Sequence, residues 1–313
     1  MNVGASTPSR ERHLHWGAQA LWAALEPLLP GLSVEVLARS ASTNSELLER
    51  ARIVPPREAL AGRFSDAVDA STRIGRRQAD TQPCLLVAEH QLAGRGRLGR
   101  SWRSTRGASL TFSLALPLAP RDWSGLSLVV GVALAEQLQP GPAETPWRLG
   151  VKWPNDLWLL GGPASAPVPG LAGGRQLGGV LIETLAAGSQ RLAVIGIGLN
   201  IAPMADLPPA DNGVAPACLR ELDPLATAPA VLARIALPLV QALKTFERDG
   251  FAPFADRFAG LDLLRGEAIT TTDPRVSQGV ALGVNGQGGL LVETAGGVQT
   301  ISSGEVSVRP APR

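Results

Sequence analysis

Two cysteines in 313 residues, Cys84 and Cys218, cannot build a disulfide framework, so the chain must hold together by burial and suits a reducing compartment. Lysine is equally scarce: of 29 basic residues only Lys152 and Lys244 are lysine, and the rest are arginine. The three histidines, His13, His15 and His90, are not spaced as zinc ligands. No Gly-x-Ser-x-Gly elbow presents a nucleophilic serine, and no glycine-rich loop ends in the lysine of a Walker phosphate site. The longest apolar runs are broken by glycine, proline or charge well short of a membrane span. The polar stretch from Met1 to Arg12 lacks the apolar core of a secretory signal. A formal net charge of +2 gives no overall basic excess for a nucleic-acid backbone to select. These absences leave a cytoplasmic protein without covalent catalysis by serine or cysteine, without a membrane partner and without a zinc centre.

What is present is a large core: 45% of the residues are hydrophobic and 18% charged, enough for one large domain or two of ordinary size. The pattern predicts a short helix near Ala18–Leu29, a strand at Val34–Leu37, a helix from Ser42 to Arg52 and a buried strand at Pro83–Glu89. Leu110–Leu116 alternates at period two and reads as a half-buried strand. A helix follows at Leu126–Leu138, then short strands at Trp147–Trp153 and Leu157–Leu160, and paired strands at Gln176–Thr184 and Arg191–Asn200. Pro229–Asp249 is a long amphipathic helix, with Lys244 on its solvated face, and a shorter helix lies near Phe254–Phe258. Residues 53–81 have no clear period and read as an irregular insertion with room for one short helix; Gly161–Gly174 and Pro203–Pro216 read as loops. From about Leu264 the texture becomes short β-type runs with glycine-rich turns, a small all-β unit of SH3-like size.

Chemistry concentrates in three places. Gly94-Arg95-Gly96-Arg97-Leu98-Gly99-Arg100-Ser101-Trp102 follows an apolar strand. Its glycines allow close backbone approach and its arginines supply fixed donors for carboxylate or phosphate. The stretch matches G-x-G-x-x-G literally, but no helix is expected after it and residues 108–120 contain no acid for a ribose, so a dinucleotide fingerprint fails on context. A plain surface loop stays open as a reading. An RNA-binding arginine loop lacks interleaved aromatics beyond Trp102. Ser42-Thr43-Asn44-Ser45-Glu46 reads as a capping box, Thr43 with Glu46, whose hydroxyls and N–H groups could also hold a polar ligand. Lys152-Trp153-Pro154-Asn155-Asp156 gathers a cation, an amide and a carboxylate where Pro154 ends strand pairing, the residue set that serves phosphates and Mg²⁺, or else a turn with a surface ion pair.

These motifs in this order, with Gly196-Ile197-Gly198-Leu199-Asn200 and the terminal Gly304-Glu305-Val306-Ser307-Val308-Arg309, resemble biotin protein ligases over roughly residues 34–309. The combination is specific where any single motif would not be; lipoate ligases and octanoyltransferases share the superfamily but lack this loop and this turn as written. The resemblance implies an α+β fold: a mixed β-sheet catalytic domain with packed helices, of the class II synthetase and biotin ligase type, over residues 34–263 after an N-terminal extension (1–33), then an SH3-like barrel over 264–313. It implies a ligase with two half-reactions, biotin and MgATP giving biotinyl-5′-AMP, then transfer to a lysine of the biotin carboxyl carrier protein of acetyl-CoA carboxylase. By motif position, Ser42, Thr43, Asn44, Gln91, Gly94, Arg95, Gly96, Arg97, Gln176 and Gly179 would bind biotin. Arg97, Arg100, Trp102, Lys152, Asn155, Asp156 and Asn200 would bind ATP, with Asp156 toward Mg²⁺ and no tightly bound cofactor. Arg95, Arg97, Lys152 and Asp156 would carry catalysis.

Two departures stand out. In Gln176-Leu177-Gly178-Gly179-Val180-Leu181-Ile182-Glu183 a glutamine stands where the family has lysine, so either adenylation is slowed, or the neighbouring Arg175 reaches in through a bulge, or the protein is a catalytically weakened biotin- or adenylate-binding paralogue. Some family members also carry an N-terminal DNA-binding domain; about 33 residues precede the first expected strand, too few for one, so no sequence-specific DNA binding is expected.

Overall fold

The structure, a computed structural model, describes residues 14–52, 81–139, 147–161, 171, 173–187, 190–204, 214–302 and 308–310. The 53–81 insertion lies outside them except for Thr81, as do His13, most of the two loops expected at 161–174 and 203–216, and Gly304-Glu305-Val306-Ser307. In chain order the elements are α1 (Ala18–Leu25), β1 (Ser33–Leu37), α2 (Thr43–Arg52), β2 (Cys84–Ala88), β3 (Gly94–Arg95), β4 (Ser101–Trp102), β5 (Ser109–Pro117), α3 (Leu126–Leu138), β6 (Trp147–Lys152), β7 (Asp156–Gly161), β8 (Arg175–Ala187) and β9 (Gln190–Asn200). There follow α4 (Ala228–Asp249), α5 (Ala255–Leu261), β10 (Ala268–Asp273), β11 (Val276–Val284), β12 (Leu290–Thr294), β13 (Gly297–Ile301) and β14 (Val308–Pro310).

Seven strands form the main sheet in the order β1-β2-β5-β9-β8-β7-β6. β1 and β2 run parallel, and every other neighbouring pair is antiparallel. The period-two alternation of a strand divides its residues between two faces. On one face Leu85, Val87, Phe112, Leu114, Ile195 and Ile197 join the main core with α1, α3 and α4. α4 supplies Val231, Leu232, Ile235, Leu239, Val240, Leu243 and Phe246 at helical spacing. By length and composition it could cross a membrane, but that apolar stripe is buried in the core. On the other face Leu47, Leu48 and Ala51 of α2 pack on Cys84, Leu86, Ala115 and Val194, a smaller second core. β5 is therefore covered on both sides and buried from Ser109 to Leu116, where the alternation alone suggested a strand with one wet face.

The described part of the stretch before β1 belongs to the same core, through Trp16, Leu21, Leu25 and Leu29. It is also tied down electrostatically. The buried Glu89 accepts from the Leu14 backbone N–H at 2.7 Å and the Trp16 indole N–H at 3.1 Å, and pairs with Arg106 at 2.8 Å. The C-terminal unit is an antiparallel sheet in the order β13-β12-β11-β10-β14, closed over Ile269, Ala281, Leu290, Val292 and Ile301. It abuts the main sheet, and the buried Trp153 indole N–H donates to the Gly288 carbonyl at 3.0 Å.

Candidate active site

The face of β5, β9 and β8 that is not taken by the main core is polar next to α2. Ser113 lies opposite Gly196 and Thr111 opposite Gly198, while Gly196 and Gly198 lie opposite Leu181 and Gly179. The alternate glycines of β9 lower the floor of a cleft. A methyl on Gly196 would stand 2.2 Å from Asn44 Oδ1, and one on Gly198 would stand 2.4 Å from the Trp102 ring. Only glycine lets the start of α2 and the arginine loop both lie on the sheet. The resulting cleft, about 840 Å³ and open to solvent, runs from Ser42, Thr43 and Asn44 past Trp102 to Asn155, Asp156 and Gln176.

At the α2 end the polar groups are tied into one network. The Thr43 backbone N–H donates to Gln91 Oε1 at 2.8 Å, and the Ser113 hydroxyl lies 2.6 Å from both Thr43 Oγ1 and Asn44 Oδ1. The Asn44 amide donates to the Leu181 carbonyl at 3.2 Å and to Glu183 Oε2 at 2.9 Å. The expected capping box does not form. Ser42, one residue earlier, caps Ser45 N–H at 3.5 Å, and Glu46 pairs with Arg50 at 3.1 Å. Thr43 is drawn away because its buried hydroxyl has Gln91 and Ser113 as partners inside the cleft.

The arginine loop is a small hairpin rather than a helix start. Gly94 pairs with Trp102 and Arg95 with Ser101, and the Gly96 N–H donates to the Arg100 carbonyl at 2.7 Å. At its tip Leu98 takes a left-handed conformation (φ 56°), which a non-glycine residue adopts rarely. Arg95 reaches Glu183 at 2.6 Å, and Arg97 donates to Asn155 Oδ1 at 3.1 Å. The hairpin stem is held where the Gln91 N–H donates to the Ser104 hydroxyl at 2.6 Å.

The far end is the turn between β6 and β7. Lys152 pairs with Asp156 across the ladder and Trp153-Pro154-Asn155 makes the turn, with a cis Trp153–Pro154 peptide. The Ser127 hydroxyl holds the Pro154 carbonyl at 2.8 Å, and Asn155 and Val180 exchange bonds of 2.8 and 2.9 Å. Lys152 is buried, with its ammonium 5.2 Å from the Trp158 ring centre. Burial lowers its pKa from the usual lysine range, with Asp156 opposing that shift. Asp156 is pushed the other way, up from the usual carboxylate range by desolvation, with Lys152 and Arg97 opposing. Each charge is costly alone and eased by its neighbour.

Of the residues expected at the site, Ser42, Thr43, Asn44, Gln91, Arg95, Gly96, Arg97, Arg100, Trp102, Asn155, Asp156, Gln176 and Gly179 all line the cleft. Gly94 sits behind Trp102 in the hairpin. Lys152 and Asn200 lie off the wall. Lys152 stands beneath Trp158 beside Asp156, and Asn200 is buried, donating to the Gln176 and Ala217 carbonyls at 3.3 and 3.0 Å. β8 does slip register between its pairings with Leu157 and Trp158. The slip does not bring Arg175 in: its guanidinium forms two bonds to Glu221, one of 3.0 Å, and lies over Trp147. It is Gln176 that faces the cleft, donating to Asp156 Oδ1 at 3.1 Å. Ser113 and Glu183 are site residues that the sequence reading did not single out. The available signals were a hydroxyl on the polar side of an apolar strand and a lone acid closing the Gly179–Glu183 run.

A model of the biotin/lipoate A/B protein ligase family matches residues 72–200, and one of the biotin protein ligase C terminal domain matches residues 266–309. The bifunctional ligase/repressor BirA of Salmonella typhimurium is 35% identical over 230 residues, covering 72% of this chain and 66% of that protein. The Escherichia coli protein of the same name is 34% identical over 232 residues, covering 67% of its length, so the chain spans about two thirds of these two relatives. The biotin--[acetyl-CoA-carboxylase] ligase of Mycobacterium tuberculosis is 30% identical over 281 residues, 87% of this chain and 88% of the relative. Among solved structures, a biotin protein ligase from Aquifex aeolicus in complex with biotin and ATP is similar in fold, with a TM-score of 0.60 at 24% identity, over 90% of this chain and all of that one.

Proposed function

Because the chain belongs to the biotin protein ligase family, we propose that it activates biotin with MgATP as biotinyl-5′-AMP and passes the biotinyl group to a lysine of a biotin carboxyl carrier protein. The observation that carries this reading is the cleft itself: neutral hydrogen-bonding groups at the α2 end, arginines along one side and an Asp156–Gln176 pair at the other end. Biotin is neutral at its ring end and anionic at its tail, so its ureido ring suits Ser42, Thr43, Asn44 and Gln91, and its carboxylate points toward Arg95 and Arg97.

In the first step a carboxylate oxygen of biotin attacks the α-phosphorus of ATP and pyrophosphate leaves. Two unit negative charges about 4 Å apart repel by roughly 4 kcal/mol at an effective dielectric near 20, and Arg95, Arg97 and Arg100 offset that repulsion. Mg²⁺ arrives with ATP as part of the substrate; among the described residues no three His, Cys, Asp or Glu converge on a metal, and Asp156 is the single carboxylate offered at this end. In the second step the carrier lysine, as the free amine, attacks the acyl carbon of the anhydride, AMP leaves and the amine gives up its proton. The hairpin excludes water from an anhydride that would otherwise hydrolyse. Lys152, off the wall, acts through Asp156 by holding its charge.

We assign residues 34–263 to catalysis and 264–313 to the accessory barrel. Acetyl-CoA carboxylase supplies the carrier in this reading, since relatives bear that substrate in their names. A cytoplasmic setting fits two buried, unpaired cysteines and an ATP-dependent substrate pair. Incubation with biotin, MgATP and a biotin carboxyl carrier domain is expected to add one biotinyl group to a carrier lysine by mass, with pyrophosphate released. A second reading, a weakened biotin- or adenylate-binding paralogue, is favoured by one observation, the neutral Gln176 beside Asp156. It predicts biotin binding with no pyrophosphate.

A further inference from the structure

A single carboxylate oxygen joins the two halves of the cleft. Glu183 Oε2, on β8, accepts from Asn44 Nδ2 at 2.9 Å and from Arg95 Nη2 at 2.6 Å. Asn44 belongs to the first turn of α2 and Arg95 to the hairpin, so the floor strand clamps the helix start and the loop together. The Asn44 side chain is held in one orientation, and it faces the cleft as part of this network. Its two amide hydrogens go to Glu183 and the Leu181 carbonyl, and its oxygen faces the Ser113 hydroxyl at 2.6 Å. From Ser113 the chain of bonds continues through Thr43 to Gln91, whose backbone N–H meets Ser104 just beyond the hairpin. The same network therefore grips the hairpin twice, at its first strand through Glu183 and at its stem through Gln91.

We propose that Glu183 is a positioning residue, the latch that holds the arginine hairpin over the cleft, so that occupancy at the α2 end and closure at the reactive end are coupled. Glu183 contacts neither reacting atom; it acts through Arg95 and Asn44. The charge matters as well as the shape. A carboxylate bonds a guanidinium more strongly than an amide does, and with Arg95 44% and Glu183 27% exposed the pair remains sensitive to salt. In the reading given above, where the cleft makes biotinyl-5′-AMP, the latch keeps that anhydride from leaking before the carrier lysine arrives.

The test has one arm that needs no ligand. Trypsin cutting after Arg97 and Arg100 in the free protein reports how often the hairpin opens. Glu183→Gln is expected to raise that cutting about threefold, the range of a partly exposed ion pair. Arg95→Gln, which breaks the same pair from its exposed end and leaves the packed strand untouched, is expected to raise it equally. The double variant is expected to be no faster than either single one, since both remove one contact. Raising salt should speed cutting of the parent protein and leave the variants unchanged. Equal cutting in parent and single variants, or additive effects in the double, would overturn the latch. The second arm measures release of preformed biotinyl-5′-AMP, expected about threefold faster in Glu183→Gln; release at the parent rate would overturn the coupling. If the parent forms no intermediate, the ligase reading fails while the trypsin arm still decides the latch.

Discussion

At Gln176 the cleft offers an amide where a cation would draw the two anions together. The amide donates to Asp156, so it orients that carboxylate but adds no charge. Gln176→Lys is therefore expected to raise the rate of biotinyl-5′-AMP formation by about tenfold, less than the roughly 100-fold of a fully preorganised donor; an unchanged or lower rate in single-turnover assays would count against a charge deficit here. The companion change, Arg175→Ala, should leave that rate within about twofold, as for a side chain held outside the site, because its guanidinium is bound to Glu221. Lys152 makes the pH prediction. Its folded pKa is lowered by burial, so in the window between that value and the ordinary lysine pKa the folded protein binds fewer protons than the unfolded chain. Stability attributable to Lys152 therefore rises with pH through that window, while its charge beside Asp156 is lost. Adenylation should fall on the alkaline side below the range where free lysine titrates. Lys152→Arg, whose guanidinium does not lose its proton, should move that limb upward in a pH–rate profile.

At the scale of elements, the helices and the paired strands β8 and β9 were legible because their apolar residues recur at 3.6 or 2. The misreadings came where the same residues had two possible partners. Thr43 and Glu46 have the spacing of a capping box, and nothing local says that Gln91 and Ser113, far away in sequence, will take the threonine instead. β5 alternates like a surface strand, yet its polar side is roofed by α2, a contact no short window contains. Glu183 closes the Gln176–Glu183 motif in sequence, but its partner could not be read there for the same reason. Its function depends on Arg95, 88 residues away. The reassigned threonine can be checked. Thr43→Ala should raise the KM for biotin about fivefold, near the 1 kcal/mol of an ordinary hydrogen bond, and lower the melting temperature only by what the lost bonds to Gln91 and Ser113 cost, since Ser42 keeps the helix cap. A large loss of stability with unaltered KM would restore the capping role.

Over the whole molecule, the motifs fixed the order of the parts but not how they lean on one another. The indole of Trp153, which opens the turn carrying Asn155 and Asp156, finds its acceptor in the barrel at Gly288. Trp153→Phe would leave that carbonyl unpaired in a buried place, at a cost of about 1–3 kcal/mol. A drop of several degrees in melting temperature, with weaker ATP binding by calorimetry, is expected; an unchanged curve would mean the barrel and turn are independent.

The knot at Glu89 has a practical corollary. One carboxylate grips Leu14 and Trp16 on one side and, through Arg106, the stretch that leaves the hairpin on the other. A bulky fusion spliced directly ahead of Leu14 would tug on the very segment that frames the catalytic cleft.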